Sequence, residues 1–595
     1  MVGGPTTPAA AARAGAAGVR SWYQTTAGIV GIGVVVIAAV TVTLILTLGG
    51  GDDEPGTAGP SPTGLTTPTT QDTAPSTTEE TAPATTAATT TVPAARTVTV
   101  EADGSGDYPD PAAAAADLPA GSTIVLGAGV HTIGIPISPT GDLTITGAGR
   151  DETTVTAEGP VLTHSGAALT ISGVTFERTG SEPGTVASIT DATIDLSDLA
   201  FRGGVGDGVE GSPVGSGLLL DGFTTGMIRS VTATANVFGI AVYGSSDLGI
   251  FDATATLNTD SGVIVDGTSS VSLVDGSIAG NTISGVLARG FSNVSLSGTG
   301  SIENGEFGVE ARDSSVVGVD GGTLAANELS GLAVNEEARV TVSGTASNDN
   351  LQSGYVAFGN SSLSISGASA MGNGLHGFSA QDAASIEITD SAAEANSQSG
   401  YVLFDQSIRT VTNCSATANG LHGLGANGSS DVRVEGFSAL DNSEVGIRFT
   451  DAATAVVEES SALRNGLSGV SVSDTARVAV RGGLYSENGG SGISYRDQAG
   501  GRIIDASSSL NGAHGIITTG ESTPLIRGNV VHGHPDDAGI AVLTTGAAEV
   551  RGNEAYENNW GIAVAERAIA AIIGTNDLHD NDTDFAEGLG VSSEE

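Results

Sequence analysis

Apolar and polar residues alternate along this chain in short bursts that return at a fixed interval. One residue after a recurring glycine stands an apolar or aromatic side chain (Val263, Val286, Val309, Leu332, Tyr355, Phe378, Tyr401), and three residues after it a small or apolar one (Val265, Ala288, Ala311, Val334, Ala357). A second pair follows at nine and eleven residues, as in Val271 and Leu273, Val294 and Leu296, or Ile386 and Ile388. Period two marks a strand with one buried face. Turn formers such as "DGTSS" and "NTIS" separate the bursts, as they separate strands.

The glycines set the interval. From Gly239 to Gly515 every step is 23 residues, and the outer steps, to Gly217, Gly539 and Gly561, are 22, 24 and 22. Four residues before the glycine runs an unbroken column: Asn258, Asn281, Asn304, Asn327, Asn350, Asn373, Asn396, Asn419, Asn442, Asn465, Asn488 and Asn511. A fixed period of this size predicts a solenoid. Two or three short strands per turn, with no helical repeat pattern, make it an all-β, single-stranded parallel β-helix. At a strand spacing of ~4.8 Å the sixteen marked turns form a rod of roughly 75 Å. The asparagines read as scaffold, a turn residue that tolerates the left-handed conformation and whose stacked side chains hydrogen-bond from turn to turn.

Ahead of the repeats, the pattern predicts a strand at Thr97 to Val100, a glycine-rich turn, a short helix at Pro111 to Leu118, and strands at Thr123 to Leu126 and Leu143 to Ile145. A solenoid must seal its open end, and the Ala-rich helix suits that task. The segments Asp103 to Tyr108 ("DGSGDY"), Thr123 to His131 and Leu143 to Gly149 resemble the start of pectinesterase-like and other pectate-lyase-like right-handed β-helix proteins. With the downstream repeats, the resemblance spans about residues 97–585 and implies a right-handed coil. It does not extend to the catalytic motifs of that superfamily. Gln71-Asp72-Thr73 lies far upstream, Asp584-Phe585 is followed by Ala586, Gly149-Arg150 by Asp151, and Asn258-Thr259-Asp260 matches a polygalacturonase triplet by letters while standing in an ordinary repeat turn.

Composition extends the picture at both ends. Ala27 to Leu48 is uncharged and long enough to cross a bilayer. Arg13 and Arg20 precede it and Asp52, Asp53 and Glu54 follow it, an asymmetry that places the N-terminus in the cytoplasm and the rest outside the plasma membrane. The expected organisation is a cytoplasmic stub (1–26), a transmembrane helix (27–48), a disordered Thr/Pro-rich stalk (49–96), the β-helix (97–585) and an acidic tail (586–595). The formal charge is -46, with no lysine among the 21 basic residues. That balance excludes nucleic acid as a partner and leaves a polysaccharide or cell-envelope polymer. Cys414 is the single cysteine, so no intramolecular disulfide forms.

Candidate chemistry lies where the interval slips. The 24-residue step contains "VVHGHPDD", whose His532, His534, Asp536 and Asp537 are catalytic candidates. "NDLHDNDTD" adds His579, Asp580, Asp582 and Asp584 as metal candidates, with Ca2+ the ion that such carboxylates would favour; no other cofactor is implied. His376, His422 and His514, one residue before the marker glycine, read as turn residues. The arginines, including Arg448, Arg464, Arg477, Arg481 and Arg496, share no column. The leading expectation is a non-enzymatic surface module that binds carbohydrate or serves as adhesin or spacer. The alternative is a carbohydrate-active enzyme (lyase, esterase or epimerase), which a groove with converging carboxylates and an Arg or His would favour.

Overall fold

The computed structural model describes residues 93–589 apart from Glu210, Gln406 and Ser407. The expected stub, membrane segment and most of the stalk (1–92), and the end of the tail (590–595), lie outside the described residues. Among the described residues no helix is long and apolar enough to cross a membrane.

The turn that starts at Gly262 shows the plan. Val263–Val265, Ser270–Val274 and Ser277–Ala279 are its three strands. Each pairs in parallel with the strand one turn on, Val263 with Val286, Val271 with Val294 and Ile278 with Ser301. Repetition of this pairing builds three parallel sheets, here sheets I, II and III, which wrap one continuous apolar core. Sheet I is a ladder of 19 strands from Leu162–Ser165 to Thr583–Leu589. That last strand pairs with Trp560–Ala565 and carries the coil beyond residue 585, into the segment expected as tail.

The period-two pattern points where expected. Val263, Val265, Val271, Leu273 and Ile278 are buried, and Tyr355, Phe378 and Tyr401 stack inside the coil with ring centroids 5.1 and 4.8 Å apart. The tyrosine hydroxyls donate to the carbonyls of Thr345 and Ser391, at 2.7 and 2.8 Å, which satisfies their polar ends. Cys414 is a buried thiol, pushed up by desolvation. Arg409 breaks the pattern, buried at an inward position held by Ile386 and Val432 in adjacent turns; burial brings its guanidinium down to about 10. At the N-terminal end Pro111–Asp117 is helical, started by the Asp110 carboxylate, which accepts from the Ala113 N–H at 2.8 Å. Its buried Pro111, Ala112, Ala114 and Ala115 cover the first coil.

The asparagine column is a continuous ladder. The Asn373 side-chain amide donates to Asn396 Oδ1 at 2.9 Å and to the Ser347 carbonyl at 3.1 Å. Its Oδ1 in turn accepts from the Asn350 backbone N–H at 3.1 Å and the Asn350 amide at 3.0 Å. Asn236, Asn558 and Asn581 extend the ladder beyond the twelve expected members. The left-handed residue is not the asparagine, as expected, but the residue before it: Leu257, Glu303, Ala326 and Ala395 all have φ between 52° and 56°. The ladder also explains the marker glycines. A Cβ on Gly377 would lie 2.7 Å from the Gly400 carbonyl oxygen and 3.0 Å from the Asn396 amide nitrogen, so the close stacking of ladder on strand needs glycine there.

His534, expected as a catalytic candidate, is a rung of this ladder. Its Nδ1 donates to Asn558 Oδ1 at 2.9 Å and its Nε2 accepts from the Asn511 amide at 3.3 Å, a pair of roles open only to the neutral ring. Burial first, with the neighbouring histidines His514 and His532, holds its pKa down to about 4. His376 and His422 are held to about 4 as well, chiefly by burial.

Two outcomes follow for stability. Asn373→Ala strips partners from buried N–H and C=O groups and lowers stability by about 3 kcal/mol, read as a lower urea midpoint. For the histidines, the folded state refuses a proton that the unfolded chain accepts below 6.5. Their contribution is therefore complete above that pH and is lost as the pH falls toward about 4. His534→Asn, which keeps the ladder and removes the titrating ring, flattens part of that decline in thermal melts taken across the window.

Candidate functional site

In a three-residue strand the middle side chain points away from the core, yet along most of sheet I it is buried too. Ala241, Ile264, Leu287, Glu310, Ala333, Val356, Ser379 and Val402 are at most 7% exposed. The turns on either side rise past the sheet and cover it. One wall comes from the residue two before the marker glycine, such as Glu306, Gln352 and Glu444, and the other from the residue four after it, such as Arg289, Phe358 and Arg496. These wall side chains are mostly half-buried. The result is a long groove on the outer face of sheet I, with the middle residues as floor.

The groove changes character along its length. Near the N-terminal end the floor is apolar, with Ala241, Ile264 and Leu287 packed beside Phe238. Next comes a charged cluster. Glu310 on the floor accepts from Arg312 Nε at 2.5 Å, from the Ser284 hydroxyl at 3.2 Å and from the Asn335 amide at 3.3 Å. Its side chain is 2% exposed, and this full set of donors keeps a buried carboxylate paired. Arg289 binds Asp266 at 2.7 Å and reaches the Tyr243 hydroxyl at 3.3 Å. On the opposite wall, burial pushes the carboxyl of Asp260 up, opposed by the Ser261 hydroxyl and by Arg289 and Arg312. Burial and then Glu310 push Glu306 up as well.

A neutral tract follows, and beyond it a second charged group. His422 Nε2 accepts from Arg448 Nη1 at 2.9 Å, so its proton is on Nδ1, which faces Glu444 at 3.5 Å. Arg496 donates to the Ser471 hydroxyl at 3.3 Å. Together these residues line a depression of about 370 Å³. At the C-terminal end the floor is apolar again, with Ile517, Ala541 and Ala563 packed beside Trp560.

The residues singled out from sequence do not assemble here. His532 lies on the outer face of sheet III, stacked on Tyr556 at 4.7 Å, and Tyr556 stacks on His579 at 5.3 Å. His534 is in the ladder, Asp536 is exposed, and Asp537 faces His514 Nδ1 at 3.5 Å. His579 contacts Asp580 at 3.0 Å and Glu554 at 3.4 Å, and these carboxylates raise its pKa. Asp582 is exposed and Asp584 accepts from Asn581 at 3.1 Å. Among the described residues, no three His, Cys, Asp or Glu side chains are grouped so as to hold a metal ion. Arg448 and Arg496, from two columns, line the same depression, whereas Arg464 pairs with Asp441 and Arg481 with Glu458 outside the groove. Sequence reading missed Asp260, Glu306, Glu310 and Arg312. Their signal was available: they are charged in columns that are neutral in the central turns.

No curated protein matches this chain in sequence. Among solved structures, the chain is similar to pectate lyase Pel9A at 16% identity, covering 47% of this chain and 80% of that one, with a TM-score of 0.31. It is similar to the A-module of the mannuronan C-5 epimerase AlgE6 of Azotobacter vinelandii at 16% identity, covering 59% and 92%, with a TM-score of 0.29. It is also similar to the catalytic unit of a thermostable GH87 α-1,3-glucanase from Streptomyces thermodiastaticus at 14% identity, covering 56% and 62%, with a TM-score of 0.31. The family described as the right handed beta helix region matches residues 161–322, 301–439 and 422–581. These three overlapping stretches take in most of the coil, and the chain belongs to the right-handed β-helix family.

Proposed function

We propose that this protein binds an extended polysaccharide in the groove on the outer face of sheet I. The observation that carries the reading is the groove itself, which runs between mostly half-buried walls over fifteen consecutive turns from Ala241 to Ala563, its floor buried except at the half-buried Gly425 and the exposed Arg448. At strand spacing that is roughly 65 Å, the shape of a polymer site rather than of a small-molecule pocket. The apolar stretch from Ala27 to Leu48 and the Thr/Pro-rich segment after it fit a rod tethered to the outer face of a membrane, where such polymers lie.

The charged cluster favours a second reading, that the groove also cleaves its ligand. Asp260 and Glu306 are two turns apart in one column, roughly 9.6 Å, the order of separation at which an inverting glycosidase places water between its acid and its base. Burial keeps both carboxyls inclined to hold a proton, as the acid requires, and the Glu310–Arg312 pair supplies fixed charge beside them.

A glycan array with the full-length chain, followed by mass spectrometry of any bound glycan, tests both. The expected result is binding that Ser379→Trp, which fills the floor, abolishes while the thermal midpoint holds. Fragments that vanish in Glu306→Gln while binding persists would replace the binding module by the enzyme. Absence of binding to every glycan overturns both readings.

A further inference from the structure

The middle of the groove carries a second period, twice that of the coil. Over five successive turns one wall reads Leu329, Gln352, Leu375, Gln398, Leu421. The opposite wall of the same turns reads Asn335, Phe358, Gln381, Phe404, Asn427. Each turn therefore sets one apolar and one amide side chain across the groove, and the two exchange sides at every turn. The floor alternates in step: Val356 and Val402 stand in the phenylalanine turns, with the smaller Ala333, Ser379 and Gly425 between them. Outside the tract the first wall keeps the rhythm, through Asp260, Ile283 and Glu306 on one side and Glu444 and Leu467 on the other.

The alternation also runs through neighbouring turn and core columns, since Asn373–Gly377 and Asn419–Gly423 are the same pentapeptide and Tyr355 and Tyr401 flank Phe378 inside the coil. At the same 46-residue spacing the outer face of sheet II reads Thr341, Glu387, Arg433 in one series and Ser364, Thr410, Val456 in the other. That face does not carry the two-turn repeat, which is kept at the groove walls, the adjoining turns and the core. A local contact accompanies the pairing, since the His376 and Phe404 rings meet in a T-shaped arrangement with centroids 6.4 Å apart, which packs one aromatic wall against the turn below.

We infer that the tract from Leu329 to Asn427 binds a neutral, linear glycan with a two-fold repeat, one sugar per turn of the coil. This deepens the polysaccharide reading above and rests on it. In a flat β-1,4-linked chain successive sugars are rotated by half a turn, so each presents its bulky polar substituent to the side opposite its neighbour's. A groove whose amide wall and apolar wall exchange sides at every turn matches that symmetry. Two strand spacings, ~9.6 Å, match one disaccharide of such a chain. Phe358 and Phe404 offer aromatic faces to the C–H faces of alternate sugars, and the glutamines and asparagines offer donors and acceptors for hydroxyls. None of these ten wall residues is charged. A polyuronate would need cationic partners there, and it would be repelled by a chain of formal charge -46.

Titration calorimetry of the full-length chain tests this with β-1,4-linked gluco- and manno-oligosaccharides of two to eight residues, against α-1,4-linked oligosaccharides, polygalacturonate and alginate. Affinity for the β-1,4 series is expected to rise with each sugar to about five, one for each turn, and to exceed that for the α-1,4 series by about tenfold or more. Phe358→Ala and Phe404→Ala should each weaken it about tenfold. The pattern swap Leu375→Gln with Gln398→Leu keeps composition and breaks the alternation, and it should weaken binding to a similar degree at an unchanged thermal midpoint. If the swap fails to fold, the length series and the α/β contrast in the unmodified chain still decide. Preference for an acidic polymer, equal affinity for both linkages, or indifference to the swap overturns the two-fold inference while a glycan-binding groove stands. No binding to any of these glycans removes the groove reading with it.

Discussion

Everything in this rod depends on one requirement, that each turn return to the same register above the last. The asparagine ladder enforces it. Each rung ties its own amide to the next rung and to a strand carbonyl of the turn before, so a turn one residue too long would break several buried hydrogen bonds at once. Where the interval does change, the ladder and the strands keep their alignment and the difference falls between rung and marker glycine. That connection has three residues from Asn236 to Gly239 and from Asn558 to Gly561, and five from His534 to Gly539, and the extra length leaves Pro535 and Asp536 exposed. The segment "VVHGHPDD" is thus an irregularity of the scaffold. Its second histidine is a rung whose neutral imidazole, donor at one nitrogen and acceptor at the other, does the work of an amide.

What was legible in the sequence is what every turn must share. Gly377 and Asn373 stand in long columns because close stacking excludes a Cβ and the ladder needs a side chain that both donates and accepts, a role that His534 alone fills otherwise among the rungs described, and inward positions such as Val271 and Leu273 show period two because most of the core is apolar, Arg409 being an exception. The left-handed residue was assigned to the wrong column, because its requirement is conformational and is met by Leu257, Glu303 and Ala326 alike; no residue type marks it. The groove was not legible at all by these means. Burial of Val356 or Ser379 depends on how far the flanking turns rise, which alternation along a strand does not encode. Asn258-Thr259-Asp260 shows the division within three residues, since Asn258 is scaffold, as expected, and Asp260 faces the groove with its carboxyl pushed up by burial.

The same scaffold that repeats without change frees the groove to vary. Wall and floor positions carry no ladder bond, so Glu310, Ser379 and Arg448, all at the middle of a sheet I strand, can be a paired carboxylate, a small hydroxyl and an exposed guanidinium. Charge is then concentrated at two places, around Glu310 with Arg312 and around His422 with Arg448, with the amide and phenylalanine walls between them. The buried Glu310 stays affordable because Arg312 of its own turn and Ser284 and Asn335 of the turns on either side all donate to it, and those partners come from columns that differ from one turn to the next.

On the proposed reading, a rigid ladder also selects among polymers by length. The turns cannot stretch to follow a ligand, so any mismatch between the rise of the coil and the repeat of a bound chain accumulates with each added unit, and contacts that match at one end drift out of phase at the other. A polymer close to ~4.8 Å per unit can stay in phase over a few turns and then must slip. In this chain the two walls alternate together over five turns, from Leu329 to Asn427, and beyond them the second wall changes to residues such as Arg289, Arg312 and Arg496. Matched chemistry thus ends after a handful of units, the span over which a stiff lattice and a stiff polymer of slightly different repeat hold their register.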